Sequence, residues 1–97
     1  MSSQILDEHE IQRLSQTLRA MAHPLRYRML CLLARGEMNL QHLAKASHTS
    51  HSNASQHLAL LQDQGLVLMR KVASRVYFRL KDPRTLRVLS AGRQLWA

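Results

Sequence analysis

Three groups of residues in this 97-residue chain have side chains that could bind or react. The first is a polar run from Ser50 to His57 that holds no acid. Stepped at 100° per residue with Ser50 as N-cap, Ala54, Leu58 and Leu61 fall on one narrow stripe. Ser52, Ser55, Gln56 and Ala59 lie opposite, with His51 and Gln62 at the edge. Small hydroxyls let such a helix approach a duplex closely. Gln can bond adenine or a phosphate, and the helix N-terminus itself favours phosphate oxygens. The second group is Arg70, Lys71, Arg75 and Arg79, in a β-rich stretch whose tip could meet phosphates or a minor groove. Arg75, beside the turn, is the foremost contact there. The third group is one Cys and six His. Cys31, in Met29-Leu-Cys-Leu-Leu33, is either a small apolar core residue or a single-thiol switch acting through sulfenate or a mixed disulfide. His42, His48 and His51 cluster within ten residues, but a turn separates them and no pair has the i, i+4 spacing of helical metal ligands. No metal and no cofactor are expected. Nor is an enzyme: there is no phosphate-binding Gly loop, and the carboxylates are either clustered at the start or scattered near element ends.

The elements that must hold these groups follow from period and punctuation. Ile5 to Ala22 is a helix candidate, with Ile11, Leu14, Leu18 and Met21 three or four apart. His23-Pro24 breaks it, and Pro24 suits the first turn of a second helix, Leu25 to Arg35, stopped by Gly36. Asn39 caps a short helix from Leu40 to Ala46. Ser47-His48-Thr49 is a turn, and Ser50 caps the helix that runs to Gln64 and ends at Gly65. Leu66 to Val72 and Arg75 to Lys81 form a hairpin closed by Ala73-Ser74. Alternation puts Arg75, Tyr77 and Arg79 on one face and Val76, Phe78 and Leu80 on the core face. Asp82-Pro83 starts a last helix through Leu86, Leu89, Leu95 and Trp96. The predicted order is α-α-α-α-β-β-α, a mainly α, α+β winged helix-turn-helix in one domain spanning 1–97.

Charge sorts along the same line. Net charge is +8 with His neutral. Residues 1–12 hold three acids and no Lys or Arg, residues 13–35 hold five Arg and no acid, and residues 66–97 hold eight bases against Asp82. The segment between, with Glu37, Lys45 and Asp63, is nearly neutral and dense in Ser, His, Asn and Gln. A neutral polar helix flanked by basic segments fits base reading beside phosphate contact. The expected reading face is Ser50, His51, Ser52, Ser55, Gln56 and His57, and the expected wing contacts are Arg70, Lys71 and Arg75. One Cys excludes a disulfide framework, and no apolar run reaches the ~18 residues of a membrane span. Met1 to Glu10 is polar and acidic, unlike a signal peptide, so a cytoplasmic protein is expected. A chain this short makes a marginal core alone. The apolar stripes of the first and last helices exceed what that core needs. Leu14, Leu18, Leu89, Leu95 and Trp96 are therefore expected to form a homodimer interface. The alternative is a winged-helix module for protein contact or RNA.

Three stretches resemble the ArsR/SmtB family of bacterial transcriptional repressors. Leu18-Arg-Ala-Met-Ala-His-Pro-Leu-Arg-Tyr-Arg-Met-Leu30 is similar to its "ALA-HPxRLxIL" opening. Ser52-Asn-Ala-Ser-Gln-His-Leu-Ala-Leu-Leu61 is similar to its "S-x-x-S-x-H-L-x-x-L" helix, and Gly65-Leu-Val with Arg70 and Arg75-Val-Tyr-Phe-Arg-Leu80 to its wing. The resemblance implies a homodimer built on the first and last helices, a repressor on a pseudo-palindromic operator, and release by an inducer the residues do not name. Ala73-Ser74 departs from the Gly usual at the wing turn. Asn39 and Gln41 stand where metal-sensing members carry thiolates, and no His follows His57 to build the metal set of the last helix. Relatives that pair a Cys at the position of Cys31 with one on the last helix imply a thiol switch, but that second Cys is missing.

Overall fold

The computed structural model describes residues 7–96. Helix α1 spans Glu8–Met21. The expected start at Ile5 lies outside the described residues, and Asp7 is the N-cap, accepting from the Glu10 N–H at 2.7 Å. Helix α2 spans Pro24–Leu33, with Pro in its first turn and His23 as its N-cap. The His23 ring Nδ1 accepts from the Leu25 N–H at 3.1 Å, a cap that the sequence does not advertise.

A two-residue strand follows, β1, Met38–Asn39, which the sequence reading did not anticipate. Helix α3 covers Leu40–Ala46, capped by Asn39 as expected, and helix α4 covers His51–Asp63, capped by Ser50. Between them His48 takes a left-handed φ of 56°. The His48 N–H donates to the Lys45 carbonyl and the Thr49 N–H to the Ala44 carbonyl. That pair of bonds is a Schellman closure, with His48 where Gly or Asn is usual. Helix α4 ends the same way at Gly65, φ 74°, with Leu66 N–H reaching back to the Leu61 carbonyl.

Strands β2, Val67–Val72, and β3, Arg75–Leu80, form the hairpin. The sheet is antiparallel with order β1-β3-β2; Met38 pairs with Phe78, and Val72 with Arg75 across the turn. Phe78 is buried, and Val76 and Leu80 pack on the core, as alternation requires. Ala73 holds the turn at φ 55°, a conformation that L side chains disfavour.

The last helix, α5, is Thr85–Gln94 and begins later than expected. Asp82 accepts from the Arg84 N–H at 2.9 Å and pairs with the Arg84 guanidinium, so it caps a preceding turn rather than the helix. Leu95 and Trp96 lie beyond the helix end. Met29, Leu30, Leu43, Leu58, Leu61 and Val67 are the largest fully buried side chains. They come from α2, α3, α4 and β2, so the core is the platform on which α4 and the hairpin sit. None of the described helices is long and apolar enough to cross a membrane.

Candidate nucleic-acid interface

Helix α4 presents two unlike faces. Ala54, Leu58 and Leu61 are fully buried, while His51, Ser52, Asn53, Ser55, Gln56, Ala59 and Gln62 are exposed. The wheel drawn from sequence is thus the observed one. The N-terminal turn is tied down twice by Asn53, which sequence reasoning did not single out. Its N–H donates to Ser50 Oγ at 3.0 Å and its amide to Thr49 Oγ1 at 2.9 Å. A polar side chain three residues after a Ser cap was the available signal.

The hairpin reaches the same side of the molecule. A cleft of about 100 Å³ is lined by Asn39, Leu40, Gln41, His51, Ser74, Arg75 and Val76. It brings Arg75 of the wing turn beside the first residue of α4. The basic residues of the hairpin do not act as one group, however. Register pairs Arg70 with Tyr77 and Lys71 with Val76, so Lys71 stands on the opposite face from Arg70, Arg75 and Arg79.

Arg70 is held within the chain. Its guanidinium makes a two-pronged ion pair with Glu37, Nε at 2.8 Å and Nη2 at 2.7 Å, and lies 4.8 Å above the centroid of the Tyr77 ring. This bridge crosses the sheet from β2 over β3 to the approach of β1. The arginine hydrogen bond holds the Glu37 carboxyl below its ordinary range. Likewise Arg84 holds Asp82 down to about 2.

His57, expected on the reading face, is turned toward α2. Its ring rests on His23 and its Nδ1 faces Arg26. Burial, then the nearby His23 and Arg26, hold its pKa below the ordinary histidine value. The reason is angular: at 100° per residue His57 falls beside Leu61, between the buried stripe and the exposed arc.

Cys31 is half-buried at the wall of a cavity of about 460 Å³ between α2 and α5, with Ala34, Leu86, Leu89, Ser90, Arg93 and Gln94. Among the described residues no group of three or more His, Cys, Asp or Glu is arranged to hold a metal.

Besides Leu60, Met69 and Val72, two groups of apolar side chains are exposed. Ile11, Leu14 and Leu18 of α1 are exposed in a row, as are Leu86, Val88, Leu95 and Trp96 at the other end of the chain. Leu89 corrects the expected interface: it is 3% exposed and belongs to the core of its own chain. Helix α5 meets α2 along that side, where Tyr27 Oη donates to the Leu89 carbonyl at 2.8 Å. Gly92 allows this approach, since a Cβ there would sit 3.2 Å from Tyr27 Oη.

Residues 23–68 match the family model described as bacterial regulatory protein, arsR family. The chain is 34% identical over 79 residues to the "Transcriptional repressor SmtB homolog" of Synechocystis, 81% of this chain and 60% of that protein. It is 40% identical over 65 residues to the "Transcriptional activator HlyU" of Vibrio cholerae, 67% of this chain and 60% of that protein. The chain therefore spans about 60% of the length of these curated relatives. The solved structure of HlyU from Vibrio cholerae superposes with a TM-score of 0.86 at 31% identity, covering 93% of this chain and 98% of that one. A solution structure of the homodimeric winged helix-turn-helix domain of Mb0332 from Mycobacterium bovis superposes at 0.81 with 26% identity, covering 94% and 86%. From the matched motif, the fold and these likenesses, the chain belongs to the ArsR family of bacterial regulatory proteins.

Proposed function

We propose that this chain is a homodimeric transcriptional repressor that binds a pseudo-palindromic operator in double-stranded DNA. The observation that carries the reading is the meeting of Arg75 with the exposed, acid-free start of α4 at one cleft. A helix in the major groove with a basic hairpin beside it contacts base edges and backbone at once. In this arrangement Ser50, His51, Ser52, Ser55 and Gln56 face the groove, while Arg75 takes a phosphate from one face of the hairpin and Lys71 from the other. Arg70 reaches DNA only by leaving Glu37, so its first role is to stiffen the wing.

The dimer joins α1 and α5 to their symmetry mates through Leu14, Leu18, Leu95 and Trp96. The exposed apolar row supports this, as does the homodimeric state stated for the Mb0332 domain. Repression is the direction named for the Synechocystis relative, while HlyU is named an activator. Genomic footprinting in the source cell tests the reading. Two-fold sites with half-sites about one helical turn apart support it. Bound sites without such symmetry, or none, contradict it. A reporter downstream of a footprinted site then rises on deletion of a repressor and falls on deletion of an activator.

A second reading concerns regulation. Cys31 opens on the α2–α5 cavity, next to the helix proposed to dimerise, which supports thiol oxidation as the releasing signal. Cys31→Ser is then expected to leave DNA affinity under reducing conditions unchanged and to lose release by peroxide. Release of the variant by peroxide contradicts thiol sensing.

A further inference from the structure

On the side of α4 turned toward α2, three basic side chains meet without an acid. The rings of His57 and His23 lie with centroids 4.5 Å apart at 39°. His57 Nδ1 is 3.2 Å from Nη1 of Arg26. A guanidinium has no lone pair to offer, so arginine donates and Nδ1 accepts. His57 is therefore neutral in this arrangement, with its proton on Nε2. The same guanidinium donates through Nε to the Ala20 carbonyl at 2.6 Å. Ala20 lies in the last turn of α1, where carbonyls lack helical partners. One side chain thus joins the end of α1, the start of α2 and the middle of α4.

We propose that Arg26 is the positioning residue of the reading helix, acting through donation to neutral His57, and that protonation of His57 loosens the seating of α4 against α2 and weakens DNA binding. A second proton on Nδ1 would remove the acceptor and set an imidazolium against the arginine. The charged groups around it offer no compensation. From α2 they are His23 and Arg26, and Arg19 of α1 shares the adjoining cleft with Arg26. On α3, His42 and Lys45 are exposed, and on β2 Lys71 is exposed while Arg70 is engaged with Glu37. Among the described residues no carboxylate pairs with His57. Folding favours the neutral form, so the hold is complete above about pH 6.5 and is lost as pH falls through the lower folded value.

The proposal rests on the DNA-binding reading for its consequence but not for its latch, so the test has two readouts on the full chain. The first is hydrogen-exchange protection of the α4 amides, corrected for intrinsic rates, at about pH 7.5 and about pH 5. Wild type is expected to lose protection several-fold on acidification. His57→Gln keeps a neutral acceptor and is expected to show no step. Arg26→Gln is expected to show low protection at both values. A wild type without a step overturns the latch, as does a step that survives in His57→Gln. The second readout is the affinity of wild type relative to His57→Gln for a random-sequence duplex of about three turns. A fall in that ratio on acidification supports the proposal, and a constant ratio overturns its DNA consequence. Protection that steps while neither protein binds the duplex supports the latch and contradicts DNA binding instead.

Discussion

Arg75 and Gln56 are both exposed, and in the proposed complex they do different work. A phosphate contact is blind to sequence, whereas an amide at the groove floor is not. Arg75→Ala is expected to weaken binding to every duplex about equally. Gln56→Ala is expected to cost about 1–3 kcal/mol on the cognate site and little on random DNA, measured by competition titration. Glu37→Gln removes the charge that holds Arg70 over Tyr77, and is expected to loosen the wing as judged by faster amide exchange in β2 and β3. Glu37 is depressed below its ordinary pKa, so this bridge is complete above the carboxylate range and is lost as pH falls through the folded value. At the wing turn, Ala73→Gly relieves a positive φ and is expected to raise stability by about 0.5–1 kcal/mol in denaturant titration. No change or a loss there would show that the turn is unstrained. Residue types alone revealed the exposed face of α4 but not its ties. The partner of Arg70 lies 33 positions away, and the His57 ring that faces Arg26 lies 31 away. Spacing within one element carries no information about such pairs.

At the level of elements, the legible features were those closed locally. Ser50 and Asn39 as caps, Gly65 as a stop, and the alternation of β3 are each decided within a few residues, and each is observed. What escaped were elements made by distant pairing. Met38–Asn39 is a strand only because Phe78 and Tyr77 lie beside it. Helix α5 starts late because the chain after Asp82 is first wound by i→i+3 bonds, from the Thr85 N–H to the Asp82 carbonyl and from the Leu86 N–H to the Pro83 carbonyl. Leu89 was misplaced because α5 has two apolar sides, one against α2 and one exposed. Helix α4 is fastened mainly by Leu58 and Leu61, so Leu58→Ala is expected to cost about 2–5 kcal/mol. Ser50→Ala removes a single cap bond and is expected to cost about 1 kcal/mol. Chemical denaturation of both variants checks the order; equal losses would mean that α4 is not seated by its buried stripe.

The whole molecule carries exposed apolar side chains on α1, on α5 and just past its end, and a basic hairpin. Among the described residues nothing covers the exposed Leu14 and Leu18. The double variant Leu14→Asp, Leu18→Asp is expected to sediment as a monomer and to lose cooperative binding to a two-fold site, while its α4 amides stay protected. A dimer that persists would place the interface elsewhere. The surplus of +8 charges, placed beside a neutral reading helix, has its most direct consequence in salt dependence. With two or three phosphate contacts per protomer, the logarithm of duplex affinity should fall against the logarithm of salt with a slope of about −4 to −5, and Arg75→Ala in both protomers should make the slope shallower by about 2. A slope near zero, or one that Arg75→Ala leaves unchanged, would contradict DNA binding through α4 and the wing.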